Sequence, residues 1–308
     1  MRILEAIAES RQIEELADSL KGRKRASALF GAHRIHRAVC AAAFALRTDK
    51  KVIAVFESDS DAFRSAEDIR ALGFRRVEAI PSREITLLDV EGASREEEIA
   101  RLSVLGKAAR GELDLICCSV EALCLLTMPH EVYLSRLREI RKGDRADQRE
   151  LSASLLEAGY TRTERVEGRG QFAVRGDIID IFPTDRDAPI RIELFGDEVD
   201  RISEFSADTQ RRTSDLEKAE ISPAREISFF GQAAEKAEAF CESLKEGPLK
   251  EAISSDLQEM EEGILPACSD RYLNVCYDDP ETVADYLPDA VFFISEPVEL
   301  EARFKNLM

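Results

Sequence analysis

The 308-residue chain contains no tryptophan, three histidines and 6% aromatic residues. It also lacks any apolar run near the ~18 residues that a helical membrane span requires. The first residues, MRILEAIAESRQ, do not have the layout of a signal peptide. A cytoplasmic location with no membrane partner is the expectation. Seven cysteines are present but no CxxC pair, and Cys117 and Cys118 are adjacent. That spacing suits neither a disulfide framework nor a zinc clip, so the thiols read as reduced, small buried hydrophobes. Basic residues are in deficit: 43 Lys and Arg against 61 Asp and Glu, a formal charge of −18. A chain so acidic repels phosphates, which excludes nucleic-acid binding by the surface as a whole.

What is present is a foldable chain. Apolar residues make up 44% and charged residues 34%, enough for real cores. The length suggests two or three domains at roughly 100–200 residues each. The charge is uneven. Residues 1–150 carry 26 basic and 26 acidic residues, whereas residues 231–308 carry 6 and 18. The acidic last quarter is a solvated face, or a surface that discourages DNA and docks on a basic partner.

Residues 1–25 read as a helix ending in a basic turn, Lys21-Gly22-Arg23-Lys24-Arg25. Ala26–Phe30 is a short apolar run, and Arg34–Arg47 is helical. Val52–Phe56 (VIAVF) is a buried strand by its β-branched run without polar alternation, and Leu113–Ser119 (LDLICCS) is another buried strand. Asp61–Leu72 and Ser94–Arg110 are helices, the second with Ser94 and Glu97 in a capping box. Val77–Ile80 is strand-like and Val120–Leu126 helical. Strands alternating with helices over short connections predict a parallel α/β sheet. After Pro129 the pattern changes. Ser135–Gly159 reads as mostly helical, and short strands follow from Gln171, with a tight Gly196-Asp197 hairpin between Ile190–Phe195 and Val199–Phe205. Residues 130–227 thus read as a small antiparallel-rich module inserted after an α/β segment. Gln232–Lys245 and Leu249–Gly263 are amphipathic helices, and Pro288–Ile294 is a final buried strand that returns to the first sheet.

Two places bear on nucleotide chemistry. The turn after the first strand, which Ala26–Phe30 would form, reads Ala28-Leu29-Phe30-Gly31-Ala32-His33-Arg34-Ile35, where a nucleotide-binding α/β fold places GxxxxGK[ST]. A working loop needs glycines so that backbone N–H groups wrap the phosphates, a lysine for the β/γ oxygens and a hydroxyl for magnesium. Here Ala28 and His33 replace the glycines, Arg34 the lysine and Ile35 the hydroxyl. The late strand ends Ile294-Ser295-Glu296-Pro297, with Ser295 where an ATPase places Asp beside Glu296. Both defects argue against hydrolysis, although any strand–turn–helix could produce the loop pattern. His33 and His36 are three apart on a helix start, but without a nearby third ligand they do not make a metal site.

A second segment is more specific. Gly159-Tyr160-Thr161-Arg162, then Gly170-Gln171-Phe172-Ala173-Val174-Arg175-Gly176-Asp177-Ile178-Ile179-Asp180-Ile181-Phe182-Pro183, continues through Ile190–Asp200, Asp208–Arg212 and Ile221–Ala224. This run resembles the UvrA-binding domain shared by UvrB-type repair helicases and the transcription-repair coupling factors, the Mfd family. The resemblance covers about 70 residues closely and nearly the whole chain more weakly. It implies an α/β fold: a P-loop-like parallel sheet with an inserted small α+β UvrA-binding domain and a small helical subdomain. The implied divisions are 1–129 with 285–308, 130–227, and 228–284. UvrB keeps an intact phosphate loop and an aromatic-rich hairpin that probes damaged DNA. Here the loop is degenerate, and Ile80–Gly92 is short and has no tyrosine. Both losses favour the coupling-factor side.

The resemblance further implies UvrA as the partner. Arg162 and Arg175 match arginines that the family uses to grip UvrA, with Arg191 and Phe182 as further candidates and Ala173 where UvrB has another arginine. From residue chemistry alone, Arg162, Arg165, Arg169 and Arg175 could instead be solvated and paired with Glu164, Glu167 or Asp177. The resemblance implies no cofactor and no catalysis for this segment. The helical stretch ending at Met308 without a stop signal leads to the expectation of a longer parent protein. That parent would be an ATP- and magnesium-dependent DNA translocase that engages RNA polymerase and double-stranded DNA, and its C-terminal region would mask the UvrA-binding face. An active UvrB-type nucleotide-dependent repair helicase is the alternative, and an unrelated regulatory α/β domain a third reading.

Overall fold

In the computed structural model, the residues described are 2–20, 26–83, 95–227, 232–261 and 272–307. The basic turn at 21–25, the Ser94 cap and most of the segment 80–92 lie outside them. The chain divides into two compact units: Met1–Arg83, Lys107–Leu126 and Thr282–Met308, and Glu84–Gly106 with Thr127–Glu281.

The first unit is built on a four-stranded parallel sheet. Its strands are β1 (Val52–Phe56), β2 (Val77–Ala79), β3 (Leu115–Ser119) and β12 (Val291–Ile294), in the order β12-β1-β3-β2. The VIAVF and LICCS runs are buried at every position, as strands covered on both faces must be. Around the sheet lie α1 (Arg2–Ala8), α2 (Arg11–Ser19), α3 (Arg34–Thr48), α4 (Asp59–Ala71), the last turn of α5 (Glu96–Ala109), α6 (Val120–Cys124) and α12 (Pro297–Leu307). Helix α3 presents Ala38, Ala41, Ala42 and Ala45 to the core, small side chains that allow close approach. It ends at Asp49, whose left-handed φ of 55° turns the chain while its N–H bonds to the Ala45 carbonyl.

Two expectations are corrected here. Ala26–Phe30 is not a strand: it is irregular and exposed, with Phe30 90% exposed. The two places beside β1 are taken by β3 and β12. The final strand does pair in parallel with β1, Val52 opposite Val291, but it is not buried. As an edge strand it alternates, with Val291 and Phe293 packed on the core and Phe292 and Ile294 outward.

The second unit is an antiparallel-rich sheet in the order β10-β9-β8-β7-β6-β5. Its strands are β5 (Thr161–Arg162), β6 (Gln171–Arg175), β7 (Ile178–Ile181), β8 (Ile190–Phe195), β9 (Glu198–Phe205) and β10 (Arg212–Leu216). Tight turns at Gly176-Asp177 and Gly196-Asp197 join β6 to β7 and β8 to β9. Each glycine has positive φ, 58° and 66°, which a two-residue turn between twisted strands demands. One sheet face buries Phe172, Ile179, Ile181, Ile190, Ile192 and Ile202 with Leu151 and Leu155 of α8 (Gln148–Glu157). Ser135–Gly159 contains a strand that was not expected, β4 (Arg138–Arg141), between α7 (His130–Ser135) and α8. Its Ile140 is buried opposite Ala219 of β11 (Lys218–Ile221) in a separate two-stranded antiparallel sheet, so one apolar residue among charges suffices to anchor it. Helices α9 (Gln232–Ser243), α10 (Pro248–Glu261) and α11 (Leu273–Cys276) complete this unit. Among the described residues no helix is long and apolar enough to cross a membrane.

Candidate protein-binding site

The second face of the large sheet is built differently from the first. Side chains alternate along a strand, so Ile179 and Ile181 enter the core while Asp180 lies opposite. Asp180 is fully buried, and a buried carboxylate has to be paired. Its Oδ1 accepts from Arg191 Nε at 2.6 Å, and its Oδ2 from Arg191 Nη2 at 2.9 Å and Arg175 Nη2 at 2.5 Å. The register explains the meeting: Asp180 stands opposite Arg191 on β8 and Ala173 on β6, with Arg175 two residues beyond Ala173. The Arg191 guanidinium lies over the Phe205 ring, 4.6 Å from its centroid. The hydrogen bonds to Asp180, with its charge, raise the Arg191 pKa further above its ordinary value against the opposing effect of burial, so the group stays a cation.

The loop after β9 closes around this hub. Gln210 sits at a left-handed φ of 59°. Its side-chain amide donates to the Val166 and Ala207 carbonyls, and its Oε1 lies 3.5 Å from Arg175 Nη2. Arg165 donates to the carbonyls of Ala207 and Asp208. Neighbouring pairs cover the rest of the face: Arg212 with Glu193 and Arg201 with Asp215. Phe182 is half-buried against Val166, Ala173 and Phe205.

Arg175, Arg191 and Phe182 therefore share this region, whereas Arg162 stands apart. It lies on the edge strand β5, exposed and in register with Phe172, a core-face position. Among the described residues its side chain has no ion-pair or hydrogen-bond partner. The pairings open from sequence resolve as follows. Arg165 does approach Glu167, at 3.9 Å. Arg169 pairs with Asp187 and Arg175 with Asp180, rather than with Glu164 or Asp177. The hub carboxylate itself went unread, although a lone Asp inside IIDIF signals a buried charge with partners on neighbouring strands.

The first unit carries the degenerate nucleotide positions at the C-terminal ends of its strands, where open α/β sheets bind ligands. Gly31 has φ of 76° and open space around it. The Arg34 guanidinium is held by α4, 2.9 Å from Asp68 and 3.1 Å from Ser65. Arg37 reaches across the strand ends, 3.1 Å from Glu57 after β1 and 2.5 Å from Glu296 after β12. His33 caps α3, its backbone N–H donating to His36 Nδ1 at 3.4 Å. Ile35 is 45% exposed and Ser295 is buried. A triphosphate with magnesium needs a free cation, a metal-binding hydroxyl and free loop N–H groups. This donor set does not fit it: the cations are already paired and position 35 carries no oxygen.

Residues 139–227 match the family described as UvrB interaction domain. The chain thus carries a UvrB interaction domain and, as a separate unit, an α/β fold with a parallel sheet. Over 305 residues it is 30% identical to the transcription-repair-coupling factor of Bacillus subtilis (strain 168), which covers 95% of this chain and 26% of that protein. The corresponding protein of Myxococcus xanthus is 27% identical over 293 residues, 91% of this chain and 24% of its own length. UvrABC system protein B of Legionella pneumophila (strain Corby) is 34% identical over 236 residues, 68% of this chain and 35% of its own. The chain spans about a quarter of the length of the coupling factors it matches.

Proposed function

We propose that this chain is the UvrB-like docking module of a transcription-repair coupling factor, and that its arginine-covered sheet face recruits UvrA for nucleotide excision repair. The observation that carries the reading is the paired Arg175 and Arg191 on a buried carboxylate, within a domain matched as UvrB interaction domain. Arginine suits such a face because its planar fork pairs carboxylates with two bonds and stacks on aromatics. Arg162 adds an exposed, uncommitted guanidinium at the sheet edge.

The module works as an adaptor without nucleotide chemistry of its own. Arg34 and Arg37 occupy the strand-end crevice with internal ion pairs, which supports the absence of ATP binding here. RNA-polymerase engagement, double-stranded DNA binding and ATP-driven translocation belong to the remainder of a longer parent, whose C-terminal region masks the same face until recruitment. Calorimetric titration of the chain with purified UvrA tests the reading: saturable binding that weakens in Arg162→Ala and Arg175→Ala supports it, and no binding refutes it. Titration with ATP and magnesium discriminates the UvrB-type helicase alternative, for which heat of binding and phosphate release are required.

A further inference from the structure

Asp180 touches no solvent, so no partner can reach it. Yet it organises the two arginines that a partner meets. Arg191 is the fixed member: its side chain is 12% exposed, both donors of one fork edge end on Asp180, and its flat face lies on Phe205. Arg175 is the presented member, 47% exposed, with only Nη2 committed to Asp180 and near Gln210. Its Nε and Nη1 have no hydrogen-bond partner among the described residues. A guanidinium held by one corner loses little further freedom on binding, and its uncommitted N–H donors can pair with a carboxylate at a fixed angle.

We propose that Asp180 is the positioning residue of the docking surface, orienting Arg175 so that its uncommitted guanidinium donors receive a carboxylate of the partner. This rests on the UvrA-docking reading. The specificity then lies in the fork and its angle, not in the positive charge alone. Arg162, which has no link to Asp180, contributes independently.

The test uses the full chain titrated with purified UvrA. Asp180→Asn keeps the shape and removes the charge, and Arg175→Lys keeps the charge and removes the fork. Each is expected to weaken binding about tenfold to a hundredfold. In double-mutant cycles, Asp180→Asn combined with Arg175→Ala is expected to cost no more than either change alone, while combined with Arg162→Ala the two losses multiply. That difference is what a merely structural role would not produce. The proposal is overturned if Asp180→Asn binds like the parent chain, if its loss multiplies with that of Arg175→Ala, or if Arg175→Lys binds normally. Should Asp180→Asn fail to fold, the surface substitution Arg175→Lys decides alone. The docking reading itself fails separately, and takes the proposal with it, if Arg162→Ala, Arg175→Ala and Arg191→Ala all leave the affinity unchanged.

Discussion

Arg162 and Arg191 lie in the same small domain, but the structure assigns them opposite consequences on truncation. Arg162→Ala removes an exposed side chain with no partner among the described residues. Its unfolding free energy should stay within about 0.5 kcal/mol of the parent, while UvrA binding weakens by about 1–3 kcal/mol. Arg191→Ala strips two of the three donors from the buried Asp180 and the cation from the Phe205 ring. Breaking a buried pair costs about 3–5 kcal/mol when the survivor is left alone. Here Arg175 remains on Oδ2, which reduces the loss. The lost cation–π contact contributes about 0.5–1 kcal/mol more. An overall destabilisation of about 2–4 kcal/mol follows. Urea unfolding followed by circular dichroism measures the first quantity for each variant, and calorimetric titration the second. The reasoning is refuted if Arg191→Ala unfolds at the parent's urea midpoint, or if Arg162→Ala loses stability comparable to that of Arg191→Ala.

Three further outcomes are expected. Burial alone would raise the Asp114 carboxyl, but hydrogen bonds from Arg76 and Lys51, with their charges, outweigh it and hold the group below its ordinary 3.8. Stability from this cluster is therefore complete above pH 3.8 and lost as pH falls through the depressed value. Unfolding titrations from about pH 6 down to about pH 3 should show an acid limb that Asp114→Asn lacks. Asp49→Gly, at the left-handed end of α3 with φ of 55°, should stabilise by about 0.5–1 kcal/mol, read as a raised urea midpoint. Arg37→Ala leaves Glu57 and Glu296 without their shared cation. It should cost about 1–2 kcal/mol, and a thermal midpoint equal to the parent's would contradict the cross-link.

The parallel sheet was legible because VIAVF and the LICC of Leu115–Cys118 are short apolar runs without polar alternation, as strands buried on both faces carry. The Gly196-Asp197 hairpin was legible from turn chemistry. Strand β4 was not, since its single apolar residue, Ile140, carries no periodic signal and is specified by Ala219 across the ladder. The exposure of Phe292 and Ile294 was hidden for the complementary reason: an apolar run does not disclose that its strand is an edge. In the candidate site, Arg162 and Arg175 came from the motif they sit in. Asp180 and Gln210 did not, because their roles arise from cross-strand register and loop closure rather than from neighbours in sequence. Arg37 was likewise unreadable, its two carboxylates lying 20 and 259 positions away.

The pairing of Val52 with Val291 also sets the order in which the chain can assemble. Each neighbour in the β6–β9 ladder is joined to the next by a short connection, so these strands zip as they leave the ribosome. Strand β12 reaches β1 only after that whole intervening stretch has been made, and the closure entropy of so long a loop falls on this last step. Pulse-labelled hydrogen exchange should find the β8 and β9 amides protected before those of β12. A nascent chain halted short of residue 291 would present β1 with one vacant side, the moment at which it is most exposed to mispairing.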